Sequence, residues 1–222
     1  MFNHYLIIIG TFIILITLVF IIYFTSKWEV PYYMRYFYAF PLTGLLISSN
    51  SIMWTFFHLY NKSIFNVAQE ILNLIAFGSI YLFFFKIFSP KKNLNYLKFI
   101  SYFLFIIYIS LSVIKYLHNT NFPVYSILAI SIIPYCFIYY YTLLKSHPNL
   151  ILFRNSTFWI VTGILIHTSI GSTIYNLYHF VPKSGSTIGL RSFLFSFVNI
   201  SAIIFYLLII KGYSCLKHRQ NL

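Results

Sequence analysis

The chain carries two acidic residues, Glu29 and Glu70, and no aspartate. Glu70 lies inside a long apolar run. With Asn66, Gln69 and Asn73 it follows the spacing i, i+3, i+4, i+7, which is one face of a helix. A carboxyl group in hydrocarbon is costly when ionised and unpaired, so Glu70 is expected to be protonated or to hold a partner. Its chemistry would be that of a proton or cation site. The partners expected from polarity and depth are His179, His58, Asn199 and Ser196.

Three more polar stripes accompany it. One is Thr168, Ser172, Asn176 and His179, another Ser192, Ser196 and Asn199, and the third Ser48, Ser49, Asn50 and Ser51. The ligand- or ion-binding candidates are Glu70, Asn66, Asn73, Ser172, Asn176, His179, Ser196 and Asn199. These groups can line a polar chamber, or they can join helices by hydrogen bonds; the sequence leaves both open.

The histidines show no HxxxH or HExxH spacing, and Cys136 and Cys215 lie on different segments, so no metal site or disulfide is expected. No cofactor is expected. The seventh apolar run has no interior lysine for a Schiff base, and no phosphate-cradling glycine loop occurs. Gly171-Ser172 resembles an intramembrane protease serine but lacks a matching histidine motif. No catalytic constellation is present, and the expectation is that the chain is not an enzyme.

The elements that must position these residues follow from composition. Hydrophobic residues make up 60% of the 222 and charged residues 8%, against about 25% charged in a soluble domain. The expected solvent is lipid. About 20 apolar residues span the hydrocarbon as a helix, and seven runs qualify: Tyr5–Phe24, Tyr36–Phe57, Ile64–Phe85, Leu97–Lys115, Val124–Leu144, Phe158–Phe180 and Leu190–Ile210. They are continuous rather than alternating, which favours helices over barrel strands. The expected fold is a single all-α transmembrane domain over residues 1–222, with no soluble domain. The first run is expected to remain as an anchor, since its apolar core is too long for a cleavable signal. Pro31, Pro90, Pro123, Pro148 and Pro182 fall between runs. Asn155-Ser156 is expected to cap the sixth helix, and Pro134 to kink the fifth.

Orientation follows from the basic residues. One side of the membrane receives Lys27, Arg35, Lys86, Lys91, Lys92, Lys98, Lys145, Arg154, Lys211, Lys217 and Arg219. The other receives Lys62, Lys115, Lys183 and Arg191. The richer side is expected to be cytoplasmic, which puts the N-terminus outside and the C-terminus inside. All four polar stripes then fall in the outer half of the bilayer, with Glu70 roughly 9 Å below the start of its helix. Trp28, Trp54 and Trp159 fall near run ends, as an interfacial belt requires. The net charge of +13 is scattered singly between apolar runs, which favours topology over nucleic-acid binding.

The segment Ser156-Thr157-Phe158-Trp159-Ile160-Val161-Thr162-Gly163-Ile164-Leu165 matches an "FWI-x-TG-x-L" helix start. The run with Asn66 and Gln69-Glu70, and Asn199 in the last run, complete a pattern over the whole chain. In this the chain resembles small seven-helix membrane proteins of Bacteroidota, often encoded near sensor histidine kinases. It departs in the second helix, where Ser48-Ser49-Asn50 stands in place of a glutamate common in that group. The resemblance implies the seven-helix fold and a bacterial cytoplasmic membrane. The expected function is a sensory or signalling component whose output passes through a membrane or cytoplasmic protein partner, docked on the basic third connection. Self-association is compatible with it. The alternatives are a transport or channel subunit using Glu70, and a structural subunit of a larger membrane complex.

Overall fold

The computed structural model describes residues 2–27, 30–52, 62–88, 95–117, 124–146, 152–181 and 188–216. Among them every regular element is a helix. Helix α1 covers Phe2–Lys27. The one-turn α2 (Tyr32–Arg35), a 3-10 turn (Tyr36–Tyr38) and α3 (Ala39–Ile52) follow. Then come α4 (Lys62–Phe88), α5 (Asn95–Leu117), α6 (Val124–Ser146), α7 (Ser156–Phe180) and α8 (Ile188–Ser214).

Five helices contain stretches long and apolar enough to cross a bilayer: Ile8–Ser26, Asn66–Phe88, Ser126–Lys145, Ser156–Leu177 and Gly189–Ser214. For the other two expected runs the structure shows helices with shorter apolar stretches. The apolar part of α5, Phe99–Lys115, is shorter. The run Tyr36–Phe57 is divided: its first turn is 3-10, α3 has 14 residues, and positions 53–57 lie outside the described residues. Pro41 sits in the first turn of α3, where its missing N–H costs nothing. Pro90, Pro123, Pro148 and Pro182, with Trp28 and Trp54, also lie outside the described residues. Helix α6 continues across Pro134, which is exposed.

A helix that is apolar all round belongs in lipid or in a large core, and α1 shows how such a helix is divided. Ile14, Thr17, Ile21 and Phe24 form one buried line at spacings of three and four. Phe12, Leu15, Ile16, Val19 and Ile22 remain exposed on the protein's outside. The buried line meets α8 and α3. The sequence of packed neighbours runs α5, α6, α7, α8, α1, α3, α4. Helix α4 then meets α6 and α5 and closes the circuit, and the α4–α5 contact is the thinnest along it.

The tightest pairing is α7 with α8, and small residues permit it. A Cβ on Gly163 would lie 2.8 Å from Phe205, and one on Gly212 would lie 2.8 Å from the Ser156 carbonyl oxygen. These contacts fix an antiparallel register in which His167 faces Ser201. Gly212→Ala is expected to lower stability by about 1–3 kcal/mol by overpacking against backbone. Unfolding in mixed micelles measures this, and a wild-type midpoint would show that the backbones do not approach as described.

Asn155 caps α7 as expected: its Oδ1 accepts from the Thr157 and Phe158 amides at 2.9 and 3.2 Å. The core lies between this end of α7 and the middle of the bundle. Met34, Phe37, Phe83, Phe84, Ile160 and Phe205 are almost fully buried there. Tyrosines at this end find local partners. Tyr33 Oη pairs with Thr157 Oγ1 at 3.0 Å and Tyr140 Oη with Thr162 Oγ1 at 2.8 Å, while Tyr213 donates to the Met34 carbonyl at 3.1 Å.

Candidate functional site

Glu70 is the one acid among the described residues, and it is paired. Lys115 of α5 donates to its Oε1 at 2.7 Å, and Tyr108, also of α5, donates to its Oε2 at 2.6 Å. Among the described residues the Lys115–Glu70 contact is the single salt bridge. The side chains keep 33% and 26% of their exposure respectively, so the pair is partly shielded rather than sealed. Tyr108 is 2% exposed. Its ring is therefore fixed by packing, and its hydroxyl holds the carboxylate in one orientation. Tyr108, Ser112 and Lys115 fall at i, i+4 and i+7, one face of α5. The Ser112 hydroxyl is buried beside that of Tyr108, without a geometry that makes a hydrogen bond.

This pairing differs from the sequence expectation. His58 and the side chain of His179 lie outside the described residues. Ser196 and Asn199 sit on α8, which packs chiefly against α7 and α1. Glu70 meets α5 instead, because a seam lined by one acid and one base is neutral, and neutrality is what lowers the cost of charge in lipid.

The polar stripes therefore serve different neighbours. On α4, Gln69 turns about 100° away from Glu70 and accepts from the Asn50 side chain of α3 at 3.3 Å. Asn66 is exposed and Asn73 half-buried on the same helix. Ser172 and Ser196 are buried, but their hydroxyls donate within their own helices, to the Ser169 and Ser192 carbonyls at 3.1 and 3.0 Å. Asn176 is half-buried on α7. Asn199 keeps a buried Nδ2 with no hydrogen-bond partner. His167 stacks on Phe205, rings 5.3 Å apart, and its Nδ1 meets the Ser201 hydroxyl at 3.1 Å. That hydroxyl already donates to the Val198 carbonyl, so Nδ1 carries the proton.

The sequence reading missed Tyr108 and Lys115 as site residues. Lys115 was read for topology alone, although the Tyr108, Ser112, Lys115 stripe was visible at helical spacing. Among the described residues no three His, Cys, Asp or Glu side chains gather at one place. What the site offers is one carboxylate, one ammonium and one phenol: groups that hold and exchange a proton or a cation.

Comparison with protein-family models, with characterised proteins and with solved structures gives no match.

Proposed function

We propose that the chain is a seven-span sensory or signalling component of a bacterial cytoplasmic membrane, with its N-terminus outside, in which the α4–α5 seam is the element that switches. The observation that carries this reading is the position of the Glu70–Lys115–Tyr108 cluster. Its hydrogen bonds cross the thinnest pairing around the bundle. A packed interface is hard to open by a small chemical event. A thin seam centred on one ion pair and the Tyr108 hydrogen bond loosens when either charge is neutralised or diverted. The basic-residue bias supports the orientation, and it sets the Glu70 end of the seam toward the outside. The resemblance to seven-helix proteins encoded near sensor histidine kinases supports output through a protein partner.

The alternative is a transport subunit using Glu70 as its ion site, in which Lys115 would have to leave the carboxylate for each ion carried. The test compares Val67 and Val113, both exposed, on α4 and α5. With spin labels there in lipid nanodiscs, Glu70→Gln is expected to lengthen and broaden the measured distance. The same protein in proteoliposomes is expected to carry no cation flux that depends on Glu70. An unchanged distance would overturn the switch, and a flux lost in Glu70→Gln would replace it with transport.

A further inference from the structure

The Glu70 cluster has the composition of a receptor for an ammonium group. Lys115 brings an ammonium with three N–H donors on a flexible four-carbon stem. Its partner atoms all belong to groups that stay in place without it. Glu70 Oε1 accepts at 2.7 Å, and Oε2 is held by Tyr108, itself fixed by burial. The Tyr108 hydroxyl spends its single proton on the carboxylate, so its remaining valence at the site is acceptor. The buried Ser112 hydroxyl beside it makes no hydrogen bond. Removing the Lys115 side chain would leave the Glu70 carboxylate, still bonded to the Tyr108 hydroxyl, without the ammonium that now meets it, with the buried Ser112 hydroxyl beside Tyr108.

Lys115 also has somewhere else to go. It lies two residues before the end of α5, and its side chain keeps a third of its exposure. A lysine so near a helix end can extend its head group toward the membrane surface. Two positions are therefore open to it, on Glu70 and at the interface.

We propose that Glu70, Tyr108 and Ser112 form a binding site for a primary ammonium compound, which Lys115 occupies here as a tethered substitute for that ligand. An amine arriving from the outer side displaces Lys115 and takes over the carboxylate. This rests on the reading of the seam as a switch, and it adds the class of ligand that throws it. Selectivity follows from the donors: a primary ammonium presents three N–H groups to oxygen acceptors, whereas a quaternary one presents none.

The test uses ethylammonium as the probe, on the full chain in nanodiscs. Lys115→Ala is expected to lower the melting temperature, and millimolar ethylammonium to restore about half of the loss or more through mass action. Tetramethylammonium and sodium at equal ionic strength are expected to restore little. Lys115→Ala combined with Glu70→Gln is expected to ignore all three. A second measurement needs no substitution at the site: ethylammonium added to the wild-type chain, spin-labelled at Val67 and Val113, is expected to change the α4–α5 distance.

Absence of ethylammonium stabilisation in Lys115→Ala, an equal effect in the double variant, or equal stabilisation by sodium would each overturn the ammonium site. If Lys115→Ala does not fold, an unchanged wild-type distance overturns it. Rescue without any movement of α5 in Glu70→Gln would leave an ammonium site on a seam that does not switch. Movement without rescue would leave the switch and remove this ligand.

Discussion

Lys115→Glu is expected to destabilise the bundle by about 3 kcal/mol, more than neutral replacement of either partner. Removing one member of a shielded ion pair leaves the other charge uncompensated, at about 3–5 kcal/mol for fully buried pairs. Here a quarter to a third of each side chain remains exposed, which tempers that figure. Reversal then adds a second carboxylate beside Glu70. The site can respond only by taking up a proton, by moving α5 away or by admitting water. The exchanged variant, Glu70→Lys with Lys115→Glu, restores neutrality and is expected to regain most of the loss. Its recovery is incomplete because Tyr108 would then face an ammonium, which cannot accept its proton. A double-mutant cycle with Glu70→Gln and Lys115→Met measures the coupling by unfolding in mixed micelles, and about 1–3 kcal/mol is expected. A coupling near zero would mean that the 2.7 Å contact contributes nothing to holding α5.

The exchange also separates what the sequence made legible from what it did not. The long apolar runs required helices, because lipid gives a backbone no hydrogen bonds. The spans at α1, α4, α6, α7 and α8 follow from that constraint alone. Polar spacing placed Asn66, Gln69, Glu70 and Asn73 on one face of α4, yet Gln69 pairs with Asn50 of α3 and Glu70 with Lys115 of α5. A period of 3.6 residues names a face, however, and says nothing about which helix lies opposite. Ser196 and Asn199 match Glu70 in depth, the only coordinate a sequence supplies. The bundle's circular order, with α5 beside α4 and α8 between α7 and α1, is set by packing of side chains that look alike in sequence. Lys115 stands near the end of an apolar run, where a lysine usually marks topology, and Tyr108 resembles any of the 21 tyrosines. The tyrosine pairs at the other end, Tyr33 with Thr157 and Tyr140 with Thr162, could have been anticipated in kind. A tyrosine inside a span needs a partner for its hydroxyl. Their identities required the fold.

Phe205→Ala is expected to be the most damaging core substitution, at about 3–5 kcal/mol. Phe205 is 1% exposed and sits where four elements converge. Its ring meets Phe37 at 6.2 Å, Phe40 at 5.0 Å, Tyr206 at 5.3 Å and His167 at 5.3 Å. In water much of such a loss would be hydrophobic transfer. In a bilayer that term largely vanishes, because lipid is as apolar as the core. What remains is dispersion lost around the cavity, together with the loss of the ring against which His167 is stacked. The bundle therefore depends on fit more than on burial, and this yields a discriminating comparison. Ile22, 64% exposed on α1, is expected to tolerate alanine within about 0.5 kcal/mol, although it is as apolar as many core residues. Phe205→Leu is expected to recover part of the loss but not the ring contacts. If Phe205→Ala and Ile22→Ala had the same effect in mixed-micelle unfolding, the convergence of α7, α8 and the Phe37–Phe40 segment on this ring would be wrong. The α7–α8 register would fall with it, since Gly163 was placed by the same side chain.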